Sequence, residues 1–263
     1  MTHTIDTPSG LEALGARIRD ARTITIMTGA GVSAASGVPT FRGDGGLWRS
    51  FRAEDLATPE AFRRDPRLVW EWYDWRRSLI ASCRPNPAHD VLAQWSRRDG
   101  VTLITQNVDG LHELAGSRDV IRFHGSIWQL RCAGGCGTAS QPWDDRQVPL
   151  PTLPPPCPRC GGHARPGVVW FGEAIDTDVL SRCLDATACD VFLSVGTSSV
   201  VHPAAGLIAR AKAHGAYTVE INPELTDTAR YLDLAVVLPA EQALPALRVW
   251  EDWRSPGGSG HES

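Results

Sequence analysis

Ile24-Thr25-Ile26-Met27-Thr28 runs directly into Gly29-Ala30-Gly31-Val32-Ser33-Ala34-Ala35-Ser36-Gly37-Val38-Pro39-Thr40-Phe41-Arg42-Gly43. The first five residues are apolar or β-branched, the pattern of a buried strand. A strand that ends in Gly-Ala-Gly opens a dinucleotide-binding turn. Its glycines let the backbone approach a pyrophosphate, and the following helix aims its first N–H groups at the negative charge. The continuation departs from that of a hydride-transfer enzyme, whose helix goes on with apolar packing residues. Here Gly37 and Pro39 cut the helix short, and Thr40-Phe41-Arg42 arrive on a loop. An aromatic ring and a cation delivered to a dinucleotide site point to a loop that handles the reactive end of the cofactor.

Outward from this turn, short apolar runs recur at Val101–Thr105, Asp190–Val195, Ala216–Ile221 and Leu234–Leu238, with a further strand at Asp119–Arg122. Helical segments lie between them, starting with residues 10–22, where Leu11, Leu14 and Ile18 share a face. The alternation predicts an α/β fold with a parallel, doubly wound, Rossmann-like sheet. Two stretches break it. Residues 45–85 read as helical and are rich in Trp and Arg (Trp48, Trp70, Trp72, Trp75), and residues 126–165 hold four paired cysteines and a proline run. The expected division is a Rossmann-like domain over 10–44, 86–125 and 166–250. The helical insert 45–85 and the cysteine module 126–165 form a small domain, and 254–263 read as a flexible tail. Ligands of open α/β sheets bind outside the carboxyl ends of the strands, so the groove there is the expected site.

Cys132-x3-Cys136 and Cys157-x2-Cys160 place four thiolates in two close pairs, each flanked by glycine (Gly137, Gly161) that a tight knuckle turn needs. This is the donor set of a closed, structural, tetrahedral Zn²⁺ site in a small ribbon. His163 is a rival ligand that fits the spacing less well. Cys83, Cys183 and Cys189 stand alone and read as buried small hydrophobes.

His124 sits between Phe123 and Gly125, just after a strand, where the sheet meets the cysteine module. An imidazole is the natural general base near neutral pH. Gln106, Asn107 and Asp109 follow another strand end, so they project into the same groove, although Asn-Val-Asp-Gly is also a plain turn sequence. Gly196-Thr197-Ser198 can donate hydrogen bonds to phosphate or ribose, and Glu224, after the next strand, is placed to meet a ribose hydroxyl. Tyr73 and Arg76 are three residues apart on a predicted helix and share a face. A phenol and a guanidinium together can receive a carboxylate; the plainer reading is a core Tyr and an exposed Arg.

These stretches, in order over residues 10–250, resemble the sirtuins, the NAD-dependent protein-lysine deacylases. The carriers are Gly29–Gly43, Thr105-Gln106-Asn107-Val108-Asp109-Gly110-Leu111-His112, Phe123-His124-Gly125, the two cysteine pairs, Gly196-Thr197-Ser198 and Ile221-Asn222-Pro223-Glu224. The resemblance implies NAD as co-substrate and one structural Zn²⁺ on Cys132, Cys136, Cys157 and Cys160. It makes His124 the general base toward the ribose hydroxyls, with Asn107 orienting ribose and water, and it places Asp109 in the nicotinamide pocket. Gly29, Ala30, Gly31, Ser33, Thr40, Phe41, Arg42, Gln106, Gly196, Thr197, Ser198, Asn222, Glu224 and Ala240 complete the implied cofactor site. The implied chemistry is attack of the acyl-lysine oxygen on the nicotinamide ribose, loss of nicotinamide, an alkylimidate, attack of a His124-activated ribose hydroxyl on the imidate carbon, and release by water of lysine and O-acyl-ADP-ribose.

Gly167–Glu173 resembles the family's peptide-binding segment, so Val168, Val169, Phe171 and Gly172 are expected to pair as an extended strand with the substrate backbone. Tyr73, Arg76 and the small Ala57 match the subgroup that removes succinyl and malonyl groups. Ala35 stands where most members carry Glu. The rival readings are a mono-ADP-ribosyltransferase on the same scaffold, an ordinary NAD oxidoreductase, and a zinc-ribbon protein that only senses NAD.

Composition narrows the partners. The chain has 263 residues, 42% hydrophobic and 21% charged, with a net charge of −4, which argues against bulk nucleic-acid or membrane affinity. The expected partners are acyl-lysine proteins or peptides. No basic-then-apolar leader is read at the N-terminus, and paired thiols suit a reducing compartment, so a cytoplasmic location is expected. Lys212 is the only lysine; every other basic side chain among the Lys and Arg total of 26 is arginine.

Overall fold

Five-residue runs with no polar face can be satisfied only in the middle of a sheet covered on both sides. Ile24–Thr28 and Val191–Val195 are buried at every position. The computed structural model describes residues 3–5, 8–39, 52–136, 141–198 and 202–249. The expectations for Thr40, Phe41 and Arg42, for Trp48 and for the tail 254–263 lie outside the described residues.

In chain order the elements are β1 (His3–Ile5), α1 (Pro8–Asp20), β2 (Ile24–Thr28), α2 (Gly31–Ala34), α3 (Ala53–Leu56), α4 (Pro59–Arg64), α5 (Pro66–Ser82), α6 (Pro87–Trp95) and β3 (Val101–Thr105). There follow α7 (Leu111–Leu114), β4 (Ile121–Arg122), β5 (Gly125–Cys132), β6 (Trp143–Asp144), β7 (Ala164–Val168), α8 (Thr177–Asp185), β8 (Val191–Val195), α9 (Leu207–Ala213), β9 (Tyr217–Ile221), β10 (Leu234–Val236) and α10 (Ala240–Ala246). The seven-stranded sheet has the order β1-β10-β9-β8-β2-β3-β4 and every pairing in it is parallel. Ile24 is opposite both Val101 and Val191, so the three central strands start in register.

The sheet is covered on both faces. Ile24, Ile26, Leu103, Leu193 and Val219 pack with α1, α6 and α10. Met27, Ile104, Phe192 and Ala235 point the other way and pack with α8 and α9. A third core joins α3, α4 and α5 to the antiparallel sheet β6-β5-β7, through Val69, Trp70, Tyr73, Ile127, Leu130 and Trp170. The buried Arg77 guanidinium ties α5 to that sheet, meeting the Asp145 carboxylate at 2.5 Å and the Gln147 carbonyl at 3.0 Å.

Helix starts follow local chemistry. Thr58, Asp65 and Asn86 each accept a backbone N–H with the side chain and are each followed by proline at the first helical position. The structure departs from the sequence reading most at three strands. The strand expected to reach Leu238 stops at Val236. β4 is only Ile121–Arg122, because Asp119 adopts φ +50°, a left-handed conformation that ends an extended run. β1 is an added edge strand on β10. At the far end of the sheet, the Lys212 ammonium pairs with Asp233, whose carboxylate also receives the Thr218 N–H at 2.9 Å.

Candidate active site

The carboxyl ends of β2, β3, β4, β8 and β9 lead into Gly29, Gln106, Phe123-His124, Gly196 and Asn222 in turn. Parallel pairing therefore puts all of these residues along one edge. The turns after β2 and β8 meet backbone to backbone. The Gly31 N–H donates to the Gly196 carbonyl at 2.7 Å, and a Cβ on Gly31 would stand 2.7 Å from that oxygen. Gly196 has φ +59°, and its own Cβ would lie 2.5 Å from Val32 N. Glycine is required at both positions.

The backbone donors of this turn are partly committed within the protein. α2 is only four residues long, and its N–H groups already have acceptors. Gly31 donates to Gly196, Val32 to Gly29 at 3.1 Å and Ser33 to Ala30 at 3.1 Å. The turn thus brings two loops together through the Gly31 N–H. Ala35 closes α2 and is exposed.

Asn107, Ser33 and Asp109 form a buried chain. Asn107 Nδ2 donates to the Gly29 carbonyl at 3.0 Å and to Ser33 Oγ at 3.1 Å. A carbonyl only accepts, which fixes the amide orientation and leaves Oδ1 as the group Asn107 can offer a ligand. Ser33 Oγ donates to Asp109 Oδ2 at 2.8 Å, and Asp109 Oδ1 receives the Leu111 N–H at 2.9 Å. Burial raises the Asp109 pKa, opposed by these two hydrogen bonds. Gln106 Nε2 reaches across to Thr197 Oγ1 at 3.0 Å.

His124 Nδ1 lies 3.1 Å from the Gln106 carbonyl. Since that oxygen only accepts, Nδ1 carries the proton and Nε2 keeps its lone pair. Burial lowers the His124 pKa, with the Gln106 hydrogen bond opposing it, so the ring is a neutral base at neutral pH. Gly125 follows at φ +78°, where a Cβ would strike the Gly167 carbonyl at 2.2 Å.

Two histidines absent from the sequence reading's site support this cluster. His89 Nε2 is 3.4 Å from Ser33 Oγ, and His112 Nε2 is 2.9 Å from Thr28 Oγ1; the two rings are 4.9 Å apart. Burial pushes the His89 pKa down to about 3, helped by His112, and the His112 pKa down to about 4. His112 lies inside the quoted Thr105–His112 stretch, so its position was available as a signal. His89 had no local signal.

The other expected residues spread along the edge. The Asn222 N–H donates to the Val236 carbonyl, and its side chain donates to the Glu224 carbonyl at 2.7 Å. Glu224 is exposed and Ser198 half-buried. Ala240 is buried in the sheet core with Ala243 and Leu244, so its methyl belongs to packing.

Tyr73 and Arg76 both line the small core beside this edge. Tyr73 is buried, and burial pushes its pKa up to about 12; the Arg76 charge opposes the rise. Arg76 lies 5.0 Å over the Trp72 ring and feels both Tyr73 and Asp109. It is therefore close to the carboxylate expected in the nicotinamide pocket. The buried Ala57 accepts the Phe171 N–H at 2.9 Å. The extended run expected over Gly167–Glu173 ends at Val168. A turn replaces its second half, because the Glu173 N–H returns to the Trp170 carbonyl at 3.0 Å and Gly172 adopts φ +83°. Val169 N–H donates to the His124 carbonyl at 3.0 Å, and Phe171 is 42% exposed.

The four cysteines meet at the tip of the β5–β7 sheet. Their sulfurs lie within 4.8 Å of one another, with Cys132–Cys160 and Cys136–Cys157 each at 3.7 Å. A tetrahedron with metal–sulfur bonds of about 2.3 Å has edges of about 3.8 Å, so the donor set fits Zn²⁺. The separations are far too long for disulfides. Four protein thiolates fill the coordination sphere, which makes the site structural.

A parallel sheet with this edge site and a four-cysteine ribbon defines an α/β protein of the dinucleotide-binding class. Residues 29–203 match the Sir2 family. The NAD-dependent protein deacylase of Aquifex aeolicus (strain VF5) is 52% identical over 213 residues, covering 80% of this chain and 87% of that protein. A Sir2 homolog solved in complex with NAD superposes with a TM-score of 0.88 at 40% identity, covering 97% of this chain and 98% of the other. A mutant Sir2 homologue in complex with 2′-O-acetyl ADP-ribose gives 0.85 at 41% identity, covering 92% and 97%. The chain belongs to the Sir2 family.

Proposed function

We propose that this chain is an NAD-dependent protein-lysine deacylase whose acyl pocket favours acidic acyl groups, succinyl and malonyl, over acetyl. The observation that carries the deacylase reading is the His124 ring, locked by Gln106 with its lone pair on Nε2, at the edge where the Gly29–Gly31 and Gly196 turns meet. NAD bound there would supply an electrophilic ribose carbon that the acyl-lysine oxygen attacks as nicotinamide leaves, and with one water consumed the products are nicotinamide, O-acyl-ADP-ribose and free lysine.

The residues act around it as follows. His124 Nε2 takes a proton from a ribose hydroxyl, and burial keeps the ring neutral and ready to do so. Asn107, with both amide hydrogens already committed, offers Oδ1 to ribose or to a water beneath it. Asp109 is fixed by Ser33 and Leu111 beside the nicotinamide pocket. Gln106 and Thr197 brace the two loops. Thr40, Phe41 and Arg42 follow the turn in sequence, and the resemblance implies a shielding role for Phe41 and a phosphate role for Arg42. Ser198, Asn222 and Glu224 hold the adenosine half. Val168, Val169, Phe171 and Gly172 meet the substrate, with groups other than the Val169 and Phe171 N–H, which are already bound within the protein. Cys132, Cys136, Cys157 and Cys160 hold Zn²⁺, which supplies rigidity to the ribbon and no reactive position. No helix among the described residues is long and apolar enough to cross a membrane.

Acidic acyl selectivity rests on Tyr73 and Arg76, a phenol that stays protonated beside a guanidinium. The test is a panel of acetyl-, malonyl- and succinyl-lysine peptides with NAD, read by mass. Nicotinamide release should require an acyl peptide, and release that is equal without one would remove the deacylase reading. A charge-assisted contact of about 1.5–3 kcal/mol gives roughly ten- to a hundredfold preference for succinyl. Arg76→Met should erase it, and an unchanged ratio in that variant would return Arg76 to a plain helix cation.

A further inference from the structure

The Tyr73 hydroxyl is held by a group that can only donate. Trp170 Nε1–H points at the phenol oxygen from 3.0 Å. An indole N–H has no lone pair to offer in return, so the bond fills a lone pair on Tyr73 and leaves the phenol proton to turn elsewhere. Among the described residues no acceptor meets that proton, and the side chain is 2% exposed. A buried O–H without an acceptor is costly and calls for a partner.

Trp170 is itself held on every side. Its backbone N–H donates to Glu173 Oε2 at 2.9 Å. The Arg165 guanidinium lies 3.4 Å over the indole and grips both Glu173 oxygens, at 2.5 and 2.8 Å. The Phe62 ring stands 5.3 Å away on α4. The indole cannot swing away from Tyr73 without breaking the cation–π stack and the turn that ends β7. Trp170 also precedes Phe171, whose N–H is bound by the Ala57 carbonyl.

We propose that Trp170 is a positioning residue of the acyl pocket: by occupying the lone pair of Tyr73 it commits the phenol proton to the carboxylate of an acidic acyl group beside Arg76. The inference rests on the acidic-acyl reading of Tyr73 and Arg76 and adds to it an indole, fixed in place by Glu173 and Arg165, that donates to the phenol which in turn donates to the substrate. Without the indole N–H the phenol rotates freely, and its proton no longer favours the direction of the ligand.

The test uses Trp170→Phe, which keeps an aromatic ring and removes the N–H. Succinyl and acetyl kcat/KM are measured for wild type, Trp170→Phe, Tyr73→Phe and the double variant. Trp170→Phe should lower the succinyl-to-acetyl ratio about three- to tenfold, the effect of one neutral hydrogen bond. In the Tyr73→Phe background the same change should leave the ratio where Tyr73→Phe put it, because there is no hydroxyl left to orient. An equal fall in both backgrounds would mean that Trp170 acts through pocket shape, and the proposal fails.

A wild-type preference that Arg76→Met removes and Trp170→Phe preserves would overturn the role of Trp170 and leave the acidic-acyl reading standing. A wild-type ratio near one would overturn both. An independent readout needs no turnover. In ¹⁵N–¹H spectra the Trp170 indole signal is identified by its loss in Trp170→Phe, and Tyr73→Phe should move that signal to the position of an unbonded indole. A signal that stays put would mean the bond does not exist in solution, and the proposal falls with it.

Discussion

Gly31→Ala tests whether contact between two loops, rather than glycine flexibility, shapes the cofactor edge. Gly31 begins α2 and needs no positive φ, so alanine suits its backbone; the obstacle is space. The new Cβ would stand 2.7 Å from Gly196 O, 2.8 Å from Gly196 Cα and 3.0 Å from Gly196 C. All three are backbone atoms, so no side chain can rotate away. Relief requires the β2 and β8 turns to part, which stretches the 2.7 Å bond from Gly31 N–H to the Gly196 carbonyl. Overpacking of this kind costs about 1–3 kcal/mol and a lost hydrogen bond about 1 kcal/mol. The lower chain entropy of unfolded alanine returns about 0.4–1 kcal/mol. The net loss is about 1–3 kcal/mol, a fall in Tm of several degrees for a chain of this size. The movement also carries Thr197, and with it the Gln106 bond at 3.0 Å, so the KM for NAD should rise. Gly206→Ala is the control, since a Cβ there meets nothing within 4 Å. The assays are thermal melts and NAD kinetics on both variants. A Gly31→Ala protein with the Tm and KM of the control would refute the argument.

His124→Ala should lower turnover by roughly two to four orders of magnitude with the fold intact, and near-normal turnover would make His124 structural. Because burial lowers the His124 pKa and the neutral ring is the base, wild-type kcat should rise with pH only below the ordinary histidine value near 6.5 and be flat above it; a rise continuing through neutrality would contradict this. His89 and His112, depressed to about 3 and about 4, take up protons in the unfolded chain before the folded one. Stability is therefore complete above about pH 6.5 and falls by up to about 1.4 kcal/mol per pH unit for each histidine as pH drops toward those values; a urea midpoint unchanged between about pH 7 and about pH 5.5, at constant metal content, would sink the argument. Purified protein should contain one Zn²⁺ per chain, and Cys132→Ser should lose it together with protease resistance in residues 126–165, since metal binding and local folding are one equilibrium; metal analysis that finds no zinc in wild type decides against it.

The central sheet is legible because its strands, buried on both faces, leave near-continuous apolar runs, and because Thr58-Pro59, Asp65-Pro66 and Asn86-Pro87 mark helix starts. The four cysteines are legible from spacing, since their ligand geometry is nearly local. Edge structure is less so. The three residues of β1 pair with one strand only, so no two-sided burial writes itself into the sequence. The internal satisfaction of the α2 N–H groups depends on the contact between the β2 and β8 turns, which are far apart in sequence. The same holds for the cluster of Ser33, His89 and Asp109, three side chains from three separate segments that become neighbours only when β2, α6 and β3 assemble. The turn that replaces the second half of Gly167–Glu173 arises from the Glu173 carboxylate reaching back to Trp170, a contact that an apolar run conceals.

The pairing of Lys212 with Asp233 bears on what this enzyme encounters in its own company. A deacylase works on acylated amines and is exposed to the same acylating metabolism as its substrates. This chain presents a single lysine, and its ammonium is engaged by Asp233, beside the start of β9, at the opposite end of the strands from the edge that holds His124. One copy therefore has almost nothing to offer the groove of another. Acylation of lysine side chains can alter the charge of this chain at one position at most, Lys212, so lysine released in excess of one per chain in an assay comes from the added substrate.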